Sequence, residues 1–185
     1  MKNLLRSKAA LSTVVTTLII LVVSVLLATV VTFYAINVTT TRVQEESLQI
    51  TKLHTWQDGA TDAVTAFYMV NTGGRDVVID KIAVRGIAAD METQVFFVNP
   101  AAAVTTDLVY LAVADVDGGD PGTGDALGAV TGTNLILASG GSMIVYITNP
   151  GHVSVSDIGT TIGITIFTAN AQYYKESNVE AAPAP

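Results

Sequence analysis

The chain has 185 residues, half of them apolar and 14% charged, with no cysteine and a formal net charge of −7. That length suits one outer domain rather than two, and the missing cysteine excludes disulfide frameworks, thiolate nucleophiles and cysteine-ligated metal centres. Lys2, Arg6 and Lys8 precede residue 9, so the rest of the chain holds six basic against sixteen acidic residues, a net of −10 that argues against nucleic acid as a partner.

From Ala9 to Thr41 there is no charge, glycine or proline. The run AALSTVVTTLIILVVSVLLATVVTFYAI, read as a helix, spans about 42 Å at about 1.5 Å per residue, more than a bilayer core of about 30 Å. About half of it is Val, Ile or Thr, which form helices poorly in water. In lipid or in a packed helical core the backbone must bond internally, and helix becomes the only economical form. The three cations in front of it place the amino end in the cytoplasm and everything after Arg42 outside. The run is too long for the hydrophobic region of a cleaved secretory signal, and no small-x-small site follows it. Length and charge alone fit a permanent anchor.

The junction suggests a different use. A short basic leader ends Lys8-Ala9, and the apolar run starts Ala10-Leu11-Ser12-Thr13-Val14-Val15. This resembles the class III signal of archaeal type IV pilins and archaellins, in which the cut precedes the hydrophobic stretch. The resemblance implies that a pilin-type signal peptidase cleaves between Ala9 and Ala10, or alternatively between Ala10 and Leu11, leaving the helix on the mature subunit. It further implies a homo-oligomeric helical filament outside the cell, built by an ATP-driven membrane assembly machine, with Leu11, Val14, Leu18, Leu21 and Val25 in a central helical core. Bacterial type IV pilins usually carry glutamate at the fifth mature residue. Val14 stands there, which favours the archaeal branch.

Polarity rises after Tyr34, and the helix is expected to fade between Asn37 and Gln49. Asn37-Val38-Thr39 is an N-glycosylation sequon that the topology places outside; it reads equally as a polar position on the helix surface. Beyond it come short β-rich runs bounded by Gly, Asn, Asp or Pro: Leu48–Gln57, Ala63–Val70, Asp76–Arg85, Thr93–Val98, Leu108–Val113, Leu135–Ala138, Met143–Thr148 and Thr161–Thr168. Asn71-Thr72-Gly73-Gly74 marks a turn. The expected class is therefore α+β: a leader at 1–9, an apolar assembly helix at 10–47, an antiparallel immunoglobulin-like β-sandwich at 48–180 and a tail at 181–185. The strand-turn-strand from Val70 to Ile82 and the Gly-rich turn before Met143-Ile-Val-Tyr-Ile147 are similar to archaellins and archaeal pilins as a group.

Asp115, Asp117, Asp120 and Asp125 sit in a Gly-rich stretch. Hard oxygen donors at that spacing are candidate ligands for Ca²⁺. The acids depart from EF-hand spacing, and a solvated turn built by Asp and Gly accounts for them as well. His54 and His152 are the only histidines, far apart and without a local Cys, Ser-Gly elbow or acid cluster, so they read as surface or loop residues. The aromatic residues in the strand runs read as core, whereas Tyr173 and Tyr174 follow the last expected strand and suit a subunit contact. No nucleotide-binding loop or basic patch is present. The chain reads as non-enzymatic, and its rival reading is a monomeric, membrane-anchored binding or accessory domain.

Overall fold

The computed structural model describes the backbone of residues 2–43, 45–59 and 62–183, and the side chains of 11–41, 45–59 and 62–183. The chain forms two compact units, residues 1–43 and 44–185. The class is α+β, with one long apolar helix at the amino end followed by a β unit.

Helix α1 runs from Lys2 to Val43. Within it Leu11–Thr41 has a mean hydropathy of 2.9, so the segment is long and apolar enough to cross a membrane or to act as a signal sequence. The ten strands that follow are β1 (Leu48–Asp58), β2 (Asp62–Asn71), β3 (Val77–Val84), β4 (Ile87–Ala88), β5 (Val95–Val98), β6 (Gly128–Ala129), β7 (Leu135–Leu137), β8 (Ser142–Thr148), β9 (Thr161–Thr168) and β10 (Gln172–Ala181). They lie in the order β4-β3-β9-β10-β1-β2-β8-β5-β6, with β7 pairing the Val77–Ile79 end of β3 on the edge that β4 shares. Among the described residues all strand pairs are antiparallel except one: β1 and β10 run parallel through Thr55↔Val179, Trp56↔Glu180 and Gln57↔Ala181. The sheet is thus mixed, where the sequence suggested antiparallel strands throughout.

The two halves of this sheet share a core. Phe67 and Met69 of β2 and Met143, Val145 and Ile147 of β8 meet Ile79, Ile82 and Val84 of β3 and Ile162, Ile164 and Ile166 of β9. A second apolar cluster occupies the other face of β1, β2 and β8, where Trp56, Val64, Tyr68, Ile144 and Tyr146 lie beneath Leu108, Val116 and Leu127. Those last three residues belong to a long strap, 99–127, that covers this face. Burial on both sides explains why β2 and β8 read as near-continuous apolar runs without alternation.

Two segments depart from expectation. Leu108–Val113 pairs with no strand; it is part of the strap, and a 3₁₀ turn at Val113–Asp115 follows it. Its polar groups are used by side chains instead of a ladder: the Tyr146 hydroxyl donates to the Val109 carbonyl at 2.6 Å, and the Tyr110 hydroxyl donates to Asp58 at 2.9 Å. Conversely, the segment holding Tyr173 and Tyr174 is a full strand, β10, whose final residues are held when the Ala182 N–H donates to the Gln57 carbonyl at 2.9 Å.

One side chain organises the end of the β unit where β2, β7 and β8 meet. Asn71, 1% exposed, donates from Nδ2 to the carbonyls of Arg75 (2.8 Å), Leu137 (3.2 Å) and Ala138 (3.1 Å), and its Oδ1 accepts from the Gly73 N–H at 3.0 Å. The turn that follows grips the incoming chain. The Ser47 carbonyl accepts from the N–H groups of Thr72 and Gly73, and the Glu45 carbonyl from Gly74. Gly73 is required here because a Cβ would lie 2.5 Å from the Glu45 carbonyl oxygen and 2.7 Å from the Ser47 nitrogen.

Candidate functional site: the apolar helix and the acidic strap

The helix carries the proposed processing site and assembly face. Lys8, Ala9 and Ala10 lie on helical backbone, and their side chains are outside the described residues. Leu11, Val14, Leu18, Leu21 and Val25 fall at alternating spacings of three and four, which puts them on one face of α1. They are between 57% and 66% exposed. The other faces expose Ile19, Ile20, Leu26, Leu27, Val30, Val31, Phe33 and Tyr34, interspersed with uncharged Ser, Thr and Asn side chains. A surface without charge all round suits lipid or a helical core rather than water.

The hydroxyls on this helix have a specific arrangement. Thr16, Thr17, Ser24, Thr29, Thr32, Thr40 and Thr41 donate to the carbonyls of Ser12, Val14, Ile20, Val25, Ala28, Ile36 and Asn37, at 2.7–2.9 Å. Each of these protons is satisfied within the helix, which removes the cost of about 1–3 kcal/mol for burying an unbonded hydroxyl. Asn37 is exposed on the helix, and its carbonyl accepts the Thr41 bond.

The acids of the strap do not converge. Asp120 turns its Oδ1 inward to accept from the N–H groups of Gly122 (2.9 Å), Thr123 (2.8 Å) and Gly124 (2.9 Å). These bonds, those from Gly124 and Thr123 foremost, hold its carboxyl below the usual carboxylate range against the opposing effect of burial. Asp125 instead accepts from the Ala101 N–H at 3.5 Å, and Asp115 sits in the 3₁₀ turn. Among the described residues no three His, Cys, Asp or Glu side chains come together as a metal site, Asp115, Asp117, Asp120 and Asp125 included.

The strap is fastened elsewhere, by residues that spacing does not connect. His54, expected on the surface or in a loop, lies in β1 with its side chain 22% exposed, and its Nε2 is 3.0 Å from Asp107 Oδ1. Its ring stacks on Trp56, with centroids 5.1 Å apart and planes within 6°, and Tyr110 meets Trp56 edge-on. Lys52 reaches from β1 to the carbonyls of Thr105 and Thr106. Burial, the bond to Asp58 and the charges of Asp58, Asp62 and Asp115 push the Tyr110 hydroxyl up to about 12. Burial also works against ionisation of Asp107, but the bond and charge of His54, the Leu108 N–H and Lys52 outweigh it and hold the carboxyl low. His152, in contrast, contributes its carbonyl to Arg85 Nη1 at 2.8 Å, beside the Arg85–Asp157 ion pair of the same length.

No protein-family model and no curated protein sequence matches the chain. Among solved structures it is similar to the apo PmoF2 PCuAC domain, at 13% identity over 76% of this chain and 97% of that one, with a TM-score of 0.43. The copper-bound PCuAC domain from PmoF2 aligns at 20% identity over 75% of this chain and 99% of that one, with a TM-score of 0.31. A β-glucosidase from Listeria innocua in complex with glucose aligns over 76% of this chain but 16% of its own, at 10% identity and a TM-score of 0.27.

Proposed function

We propose that this protein is a structural subunit of an extracellular archaeal type IV pilus-like filament, serving adhesion or motility. The observation that carries the reading is the helix: uncharged on every face from Leu11 to Thr41, its hydroxyls bonded back to its own carbonyls, and opening on a basic segment that ends at Lys8-Ala9. In this reading the subunit first waits in the membrane. A pilin-type signal peptidase hydrolyses the bond after Ala9 or Ala10, which removes the cations that fix the topology. An ATP-driven assembly machine then moves the helix from lipid into a bundle of identical helices, with Leu11, Val14, Leu18, Leu21 and Val25 inside. Lipid tails and such a bundle are similarly dry, so the transfer need not expose the apolar surface to water. The β unit, read as an immunoglobulin-like sandwich, forms the outer sheath.

The test is the intact mass and amino-terminal sequence of fibres sheared from cells without detergent. A start at Ala10 or Leu11 is expected, and the same spectrum reads the occupancy of Asn37. A Met1 start found only in detergent-solubilised membranes would replace the filament with a monomeric anchored domain. Leu18→Lys should abolish fibres while leaving the melting of the β unit unchanged, because a lysine in a dry helical core strands its charge. Normal fibres from that variant would refute the helical core.

A further inference from the structure

The buried edge of His54 is unexplained by the role of the β unit as a packed domain. With Nε2 bonded to Asp107, the other ring nitrogen, Nδ1, is buried and has no hydrogen-bond partner, although Glu180 Oε1 stands 3.8 Å away. Buried polar atoms without partners are uncommon and call for a reason. In the neutral ring with its proton on Nε2, the Nδ1 lone pair faces the Glu180 carboxylate, and the contact is repulsive. A second proton reverses this, since Nδ1–H then has a carboxylate acceptor 3.8 Å away and both flanking carboxylates face a cation.

The position of the ring gives this reversal a mechanical meaning. Asp107 belongs to the strap, Glu180 belongs to β10, and His54 stands between them on β1. Trp56, the residue on which the ring stacks, is in register with Glu180 across the single parallel pair of the sheet. The charged groups around the ring are Asp107 from the strap, Glu180 from β10 and Lys52 from β1, the last acting on Asp107; β2 presents Ala66 opposite His54. Beneath the strap lie Trp56, Tyr68, Ile144 and Tyr146, an apolar face that opening would bare.

We infer that His54 is a proton-operated latch, which on taking up a second proton joins the strap to the last strand through one imidazole and holds the apolar face closed. With the ring neutral the latch is half-made, and the strap is freer to open. The device is independent of filament assembly and belongs to the β unit alone.

The experiment is hydrogen exchange by mass spectrometry on the full chain in detergent micelles, at about pH 8 and about pH 5. Rates are expressed as protection factors to remove the intrinsic pH dependence. Peptides covering 99–112 should gain about threefold to tenfold in protection at the lower pH, the scale of one charge-assisted bond at a partly exposed site. Glu180→Gln and His54→Asn should each lose that gain, whereas His152→Gln should keep it. Side-chain ¹⁵N spectra of His54 should show the Nε2–H tautomer at the higher pH and both N–H groups at the lower. An equal gain in all variants, no gain in the parent chain, or an Nδ1–H tautomer at the higher pH would each overturn the latch.

Discussion

Replacing Asn71 by alanine should unfold the β unit well below the melting temperature of the parent chain. The side chain offers two N–H hydrogens and one carbonyl oxygen to three carbonyls and one N–H, all within 2.8–3.2 Å, at a residue that is 1% exposed. Counting three satisfied bonds at about 1 kcal/mol each gives a loss of about 3 kcal/mol, before any penalty for the backbone groups left behind. At about 4 °C per kcal/mol for a domain of this size, the melting temperature should fall by about 12 °C. Trp56 is the only tryptophan and is buried in the β unit, so its fluorescence on heating the full chain in detergent reads this transition without interference from the helix. Asn170→Ala is the control, because it removes one exposed bond to Glu46 at 3.1 Å and should cost about 0.5 kcal/mol, or about 2 °C. If Asn71→Ala melts as close to the parent as that control does, the reasoning that this amide ties β2, β7 and the following turn together is wrong.

Gly73→Ala should cost about 2–3 kcal/mol, because its methyl group meets backbone atoms of Glu45 and Ser47 that have no rotamer with which to yield; accelerated proteolysis at 45–47 would report the same release. Asp90, Asp120 and Asp157 are all held below the usual carboxylate range, by Thr93, by the Gly124 N–H and by Ser154 respectively as the foremost cause. A depressed folded value means that their stabilisation is fully present above the unfolded value of about 3.9 and disappears as the pH falls through the folded values. In an acid titration Asp120→Asn should therefore be less stable than the parent at neutral pH and lose less stability below about pH 4, the two converging in acid; an unchanged slope would remove Asp120 from the account. Millimolar Ca²⁺ against chelator should move the melting temperature by less than about 1 °C, since Asp120 is engaged with three backbone N–H groups and the other acids do not converge on it. A shift of several degrees would show a site that the unbound loop does not display.

The helix was legible because an uncharged run from Ala9 to Thr41 leaves few physical alternatives, and most strands were legible because β-branched runs end at Gly, Asn or Pro. β10 was not, since in Gln-Tyr-Tyr-Lys-Glu-Ser-Asn-Val-Glu-Ala only Ser177 and Val179 are buried and the rest reads as a polar tail. The strap misled in the opposite sense. Leu108 to Val113 has the composition of a strand, yet Leu108 is spent covering Trp56 and Tyr146, and the Val109 carbonyl is spent on a tyrosine hydroxyl. Contacts of this kind are set by the whole sheet and leave no local pattern. The same holds for His54, whose acidic neighbours Asp107 and Glu180 lie 53 and 126 positions along the chain; no motif spacing joins them.

The length of the helix sets how much of it a single bilayer can cover. Leu11–Thr41 comprises 31 residues, about 46 Å as α-helix, whereas a bilayer core covers about 30 Å. A solitary subunit held in lipid therefore leaves about ten residues beyond the hydrocarbon, drawn from the hydroxyl-rich ends Leu11–Thr17 and Asn37–Thr41, or tilts to cover them. Ile36, exposed near the end of the segment, is the kind of side chain whose burial is worth about 1.5–3 kcal/mol. A bundle of identical helices covers the whole length at once, because its dry interior is as long as the helices themselves. The hydroxyls at Thr32, Thr40 and Thr41 bond back to the helix as those at Thr16 and Ser24 do, so the outer turns are prepared for a dry neighbour as fully as the inner ones. In the proposed filament those outer turns meet neighbouring helices; in an anchored monomer they meet the membrane interface and water.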